Sequence, residues 1–188
     1  MSLLFRQHIE QIISLTDDEY TEILSYFKPK TYKKHQFIVQ QEEPVSQEYF
    51  ILKGLVKSYI TGDDGKEHII QFAMENWWVT DYQAYVNKEP ATYNIDCVEA
   101  TELLSITSEQ KTLLCQRFHK MEHFFRVKAT SGYIALQKRI LSFMHQDTEQ
   151  RYRQLFEQYP TLFQRVPKAM IASYLGVSRE TLSRLSVK

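Results

Sequence analysis

The chain has little of what specialised site chemistry and irregular structure need. Its 188 residues include two cysteines, Cys97 and Cys115. That is too few for a disulfide framework or for an iron–sulfur cluster ligated by the chain alone, and it suits a reduced, cytoplasmic protein. Five glycines and five prolines leave little material for long disordered linkers. No apolar run approaches the ~20 residues needed to span a bilayer. The opening MSLLFRQHIEQIISLTDDEY breaks its apolar positions with acids and polar residues and does not read as a signal peptide. No haem ligand stands out, and the residues call for no cofactor and no metal.

Hydrophobic residues make up 43% and aromatics 13%, which is enough for one large core or two small ones. The formal net charge is zero, but it is unevenly spread. Residues 1–107 carry nine Lys/Arg against seventeen Asp/Glu, and residues 108–188 carry fourteen against six. A basic half can face a polyanion. Chance segregation, or attraction between the halves, gives the same numbers.

Over residues 2–27, Leu4, Ile9, Ile12, Ile13, Tyr20, Ile23, Leu24 and Phe27 recur at helical spacing, with Asp17 as a cap, and Pro29 ends the pattern. From Thr31 the period changes. HQFIVQ, EYFILKG, LVKSYIT and KEHIIQFA are short β-branched and aromatic runs, GDDG (62–65) is a hairpin turn, and DCVEATELLSIT (96–107) reads as further strand. Residues 31–107 therefore predict a mostly antiparallel barrel or roll. Ser108 then caps a short helix, and a long helix follows over 121–145. Its apolar stripe of Phe125, Gly132, Leu136, Ile140 and Phe143 needs a partner. A second copy in a coiled-coil-like seam and the chain's own β domain are both open. EQRYRQLFEQYP (149–160) is another amphipathic helix, stopped by Pro160.

Residues 168–187 match a helix-turn-helix template. Ala172 is small where two helices cross, and Gly176 supplies the turn. Ile171, Leu175, Val177, Leu182 and Leu185 take the packing positions. Pro167 fits the first turn of the first helix, and Ser178 caps the second. Arg179, Glu180, Ser183 and Arg184 then face away from Leu182 and Leu185. Arginine can donate twice to guanine, and glutamate can accept from the cytosine amino group. A glutamate aimed at a polyanion is costly unless it meets a base donor, so the comb points to sequence reading. A solvated face with local ion pairs is the plain alternative.

These segments together resemble the Crp/Fnr family of transcription regulators, of the catabolite-activator type. VSRETLSR is similar to that family's recognition helix, and YFILKGLVKSYITGDDGKEHIIQF to the core of its cyclic-nucleotide-binding-type roll. The resemblance covers essentially the whole chain. It implies an α+β fold: an N-terminal antiparallel β-roll of jelly-roll type (1–107), connecting and dimerisation helices (108–146), and a C-terminal helix-turn-helix domain (147–188). It further implies a homodimer paired along the long helix and bound to double-stranded DNA at an inverted-repeat site, with RNA polymerase as a partner. Arg179, Glu180 and Arg184 would read a half-site resembling TGTGA, flanked by Ser178 and Ser183.

The family's cyclic-nucleotide binders carry a Gly-Glu pair for the ribose and an Arg-Ser pair for the phosphate. Here Thr80-Asp81 and Ala91-Thr92 stand at those places, and the nearby Lys88 reads as loop. A buried phosphate without its arginine is costly. The sensor is therefore read as degenerate, taking a small ligand other than cyclic AMP or none. Trp78, Asp81, Tyr82, Tyr85, Thr92 and Tyr93 are the pocket candidates, among further rings at Phe72 and Trp77, which can equally fill the roll. No wing hairpin precedes the C-terminal motif. Two rivals remain. One is a ligand-binding or interaction module whose helix pair does not touch DNA. The other is a zinc hydrolase built on HKMEH, with His119 and His123 on one helix face and Glu122 as base. No third ligand is evident, and no catalytic residue is assigned.

Overall fold

The computed structural model describes residues 3–185, and the chain divides into two compact units. The first comprises residues 1–59 and 72–128, the second residues 60–71 and 129–188. Among the described residues no helix is long and apolar enough to cross a membrane.

Two four-stranded antiparallel sheets are formed by β1 (Lys28–Tyr32), β2 (Phe37–Val39), β3 (Gln47–Lys53), β4 (Val56–Thr61), β5 (Glu67–Ala73), β6 (Trp78–Val79), β7 (Asn94–Cys97) and β8 (Thr101–Thr107). All belong to the first unit except residues 60–61 of β4 and 67–71 of β5, which fall in the second. The sheet orders are β1-β8-β3-β6 and β2-β7-β4-β5. Successive strand residues point to opposite faces, and the first sheet uses both. Tyr49, Ile51 and Leu103 enter a cluster with Val39, Val56, Ile95 and Cys97 of the second sheet, which is the interior of a roll. Phe50, Leu104 and Ile106 point the other way. There they meet helices α1 (Leu3–Glu10), α2 (Asp17–Ser25), α4 (Ser108–Arg117) and the start of α5 (His119–His145), through Phe5, Ile23, Leu114, Met121 and Phe124. Cross-strand pairs Phe50–Leu104 and Ile51–Leu103 fix this register, because a one-residue slip would exchange the two faces.

Several local expectations are corrected. Asp17 is the first residue of α2 and does not cap it. The cap is Thr16, whose hydroxyl accepts from the Glu19 N–H while the Glu19 carboxylate accepts from the Thr16 N–H, a reciprocal capping box. Ser108 is likewise inside α4, and Thr107 caps it by accepting from the Gln110 N–H. The run 96–107 is two strands, broken at residues 98–100, where the Val98 and Glu99 amides donate to the Leu55 carbonyl. Pro29 lies within β1, a sheet edge where its missing N–H costs no ladder bond.

The second unit holds the end of the β4–β5 hairpin, the remainder of α5, α6 (Thr148–Gln158), α7 (Leu162–Arg165), α8 (Lys168–Leu175) and α9 (Arg179–Leu185). The hairpin turn falls at Gly62–Gly65 as the sequence predicts, closed by Gly62 N–H to the Lys66 carbonyl at 2.8 Å. Among the described residues the unit's buried hydrophobic side chains are Ile69, Leu155, Leu162, Val166, Ile171, Ala172, Leu175 and Leu182. The stripe on α5 divides. Phe125 is buried in the first unit, whereas Leu136 and Ile140 are more than half exposed, with Phe143, Tyr133 and Met144 also open. The chain's own packing thus takes only the start of the stripe.

Candidate nucleic-acid interface and sensor segment

α8 ends in the left-handed Gly176 (φ 70°), whose N–H donates to the Ala172 and Ser173 carbonyls, while Val177 N–H reaches Ala172 at 3.0 Å. This glycine closure satisfies carbonyls that the helix end would otherwise leave open. Pro167 stands one residue earlier than the first turn, at the cap position of α8. Ser178 accepts from the Thr181 N–H at 3.1 Å, the N-cap geometry expected for α9. Ile171, Ala172, Leu175 and Leu182 are buried and Val177 is half-buried. The side chain of Leu185 and residues 186–188 lie outside the described residues. Ser178, Arg179, Glu180 and Arg184 are exposed and Ser183 is half-buried. The Glu180 carboxyl is held below the usual range by its own backbone N–H, then by the Ser178 hydroxyl and by Arg179 and Arg184. The comb is therefore charged, exposed and on one helix.

The sensor segment is different. Asp81 caps α3 (Tyr82–Asn87) and is 1% exposed. One carboxylate oxygen accepts from the Ala84 N–H at 3.2 Å, and the other accepts from both the N–H and the hydroxyl of Thr92 at 2.7 Å. The Tyr93 hydroxyl donates to the Thr80 carbonyl at 2.9 Å, and the Thr80 hydroxyl to the Gln47 carbonyl at 2.8 Å. Tyr82 donates to Glu48 at 2.6 Å, and Lys111 reaches the other Glu48 oxygen at 2.5 Å. Burial raises the Tyr82, Tyr85 and Tyr93 hydroxyls, so all three stay protonated. The structure thus brings Asp81, Tyr82, Tyr85, Thr92 and Tyr93 together. Trp78 stands apart from them. It packs edge-on or tilted against Phe5, Phe27, Phe50, Phe124 and Phe125 and donates its indole N–H to His8 at 3.2 Å.

Residue reasoning missed Glu48 and Lys111. The one signal was an acid inside the apolar run EYFILK. Lys111 also lines an open cleft of about 500 Å³ with Tyr85, Cys115, His119, Glu122 and Phe125. Among the described residues no three His, Cys, Asp or Glu side chains come together to hold a metal, and Arg126 engages His123 at 2.8 Å. Burial pushes both the Cys97 and Cys115 thiols up to about 11, so neither is a thiolate at neutral pH.

Residues 29–118 match the cyclic nucleotide-binding domain family. The chain is also similar in structure to three solved proteins. The catabolite activator protein of Thermus thermophilus is 23% identical, with 93% of this chain and 83% of that one covered at a TM-score of 0.56. The c-di-GMP responsive global regulator CLP of Xanthomonas campestris is 14% identical, with 90% and 89% covered and a TM-score of 0.73. FixK2 of Bradyrhizobium japonicum is 15% identical, with 86% and 83% covered and a TM-score of 0.73. No curated protein sequence matches. The class the fold defines is thus a cyclic nucleotide-binding-type β domain followed by helices, the arrangement these three structures share.

Proposed function

We propose that this chain is a sequence-specific DNA-binding transcription regulator of the Crp/Fnr type and not an enzyme. The observation that carries the reading is α9: a short helix capped by Ser178, seated through Leu182, with Arg179, Glu180 and Arg184 open on its outer side. Residues at the start of a recognition helix are those that reach base edges in the major groove. Residues 147–188 would bind DNA as a helix-turn-helix domain, 108–146 would connect and dimerise, and 1–107 would form the sensor.

The exposed α5 stripe supports a homodimer, since Leu136 and Ile140 are apolar and more than half exposed and Phe143 keeps part of its ring open. Two copies would place their α9 helices about 34 Å apart to meet successive major grooves of an inverted repeat. RNA polymerase would be the downstream partner, in the cytoplasm. We read the sensor as taking a small ligand other than cyclic AMP or none, a reading supported by the Asp81 carboxylate, which already engages the Ala84 and Thr92 donors of its own segment. Any effector would be a different small molecule.

Selection of bound duplexes from a random pool, with purified protein and no added ligand, tests the function. An enriched inverted repeat is the expected result. No enrichment from folded, dimeric protein, with or without cell extract, overturns it and favours an interaction module.

A further inference from the structure

The point from which α9 projects is the last turn of α8, and an unusual set of side chains holds it. Arg139 on α5 donates to the Tyr174 carbonyl at 3.1 Å and lies 3.8 Å over the Tyr174 ring. The same guanidinium donates to the Ile70 carbonyl and, at 3.4 Å, to that of Ile69. Those carbonyls are available because β5 is an edge strand. Ser173, one residue before Tyr174, uses its hydroxyl twice on the same strand. It donates to the Glu67 carbonyl at 2.6 Å and accepts from the Ile69 N–H at 3.0 Å. A single hydroxyl thus takes the place of a neighbouring strand. Arg151 on α6 takes the next carbonyl, Leu175, at 3.4 Å and the Gln146 carbonyl at 2.7 Å. The Phe143 ring lies beneath both guanidiniums, 5.4 Å from Arg139 and 4.9 Å from Arg151, and a Cβ on Gly176 would come within 3.4 Å of it. Cations at a helix C-terminus are favoured electrostatically. Here they also fix direction, because a planar fork with several donors constrains orientation where a single ammonium would not.

From this we infer that Arg139 and Ser173 are positioning residues for the recognition helix, locking the end of α8 to the β5 edge so that α9 leaves at one angle. The inference rests on the reading of α9 as the DNA-contacting helix. It makes the β4–β5 hairpin a determinant of base discrimination through these contacts rather than by touching a base. A shift of the strand edge would be carried by Arg139 to the turn at Gly176–Ser178. Both side chains are engaged with backbone groups of the chain itself, so their loss should act on discrimination and leave general attraction alone.

The experiment compares the intact wild-type chain with Arg139→Lys, Ser173→Ala and Ser173→Thr. It reads the ratio of affinity for the selected inverted repeat to that for a scrambled duplex at one salt concentration, together with amide hydrogen exchange over residues 178–185. Arg139→Lys and Ser173→Ala should lower the ratio by about ten-fold, within the usual range for coupled sites. The slope of affinity against salt should be unchanged. Ser173→Thr, which keeps the hydroxyl, should stay within about two-fold of wild type. Exchange over 178–185 should quicken in the first two variants while β8 amides keep their protection. An unchanged ratio in both variants, or an equal loss on both duplexes, overturns the inference. If wild type discriminates no duplex at all, the functional reading fails separately and exchange decides. Quickened amides would keep the lock, and unchanged amides would remove it.

Discussion

Asp81 and Glu180 are both acids at the start of a short helix, where the exposed N–H groups and the helix dipole favour negative charge. The fold treats them oppositely. Asp81 is buried, and Ala84 and Thr92 take up both of its oxygens. Glu180 is exposed, flanked by two exposed arginines, and its carboxyl is engaged only locally, by its own backbone N–H and the Ser178 hydroxyl. The first acid joins two segments of the chain. The second stays open to solvent. A similar local signal, an acid at the start of a helix (N-cap in one case, first turn in the other), therefore has no fixed meaning until its burial and partners are known.

Removing Asp81 should break this contrast most severely. Asp81→Ala strips an acceptor from three donors, two backbone N–H groups and a hydroxyl, and buried donors left unsatisfied cost about 1–3 kcal/mol each. The variant should lose about 3 kcal/mol or more of unfolding free energy in urea titration. Asp81→Asn, which keeps one acceptor oxygen, should lose less. A loss below about 1 kcal/mol for Asp81→Ala would mean the segment is held otherwise.

A buried base offers a test in pH. Burial, and next the nearby Lys128, lower the pKa of His8 from 6.5 to about 4. Its neutral ring accepts the Trp78 indole N–H. Above pH 6.5 folded and unfolded chains are both neutral here, and the contribution to stability is complete. As pH falls from 6.5 to about 4, the unfolded chain takes up a proton that the folded chain refuses, so stability declines through that window. His8→Gln keeps an acceptor but does not titrate, and its stability against pH should be flatter between 6.5 and 4. Parallel curves for the two proteins would show that His8 does not set the decline.

Arg184→Ala sharpens the open side. An exposed arginine on α9 should cost the fold less than about 0.5 kcal/mol. It should still relax base preference at one position of each half-site by about 1–3 kcal/mol. Repeating the duplex selection with the variant reads this directly. An unchanged consensus would remove Arg184 from the reading set.

Much of the fold was legible because burial follows period. The GDDG turn and the Gly176–Ser178 turn are local signals that fall where the structure puts them, and the switch from helical spacing to alternation comes at Lys28, three residues before the Thr31 that the pattern suggests. The sensor segment was less legible. Asp81 meets Thr92 eleven residues away, and Tyr82 meets Glu48 and, through it, Lys111. No spacing rule links such partners. Trp78 shows the limit most plainly. It shares a stretch with Tyr82 and Tyr85, yet β6 pairs it with Phe50, and that face turns it toward α1 and α5. The helix caps fall one residue before the expected Asp17 and Ser108 because Thr16 and Thr107 offer a side-chain acceptor just as those neighbours do, and only backbone conformation chooses between them.

The smallest effect tests whether the α8–α9 turn needs glycine for its backbone or for its neighbour. Gly65 and Gly176 have nearly the same left-handed φ, 75° and 70°. A Cβ on Gly65 would meet open space, and one on Gly176 would come within 3.4 Å of the Phe143 ring. Gly65→Ala should therefore cost about 1 kcal/mol, the backbone penalty alone. Gly176→Ala should cost that amount plus whatever Phe143 must yield, a few tenths of a kcal/mol for an ordinary contact. Thermal melts of the two variants measure the difference. If the two costs are equal, the turn that launches α9 depends on backbone conformation alone. If Gly176→Ala costs several times more, the ring of Phe143 is held rigidly between the two arginines, and the direction of α9 is fixed by packing as well as by the turn.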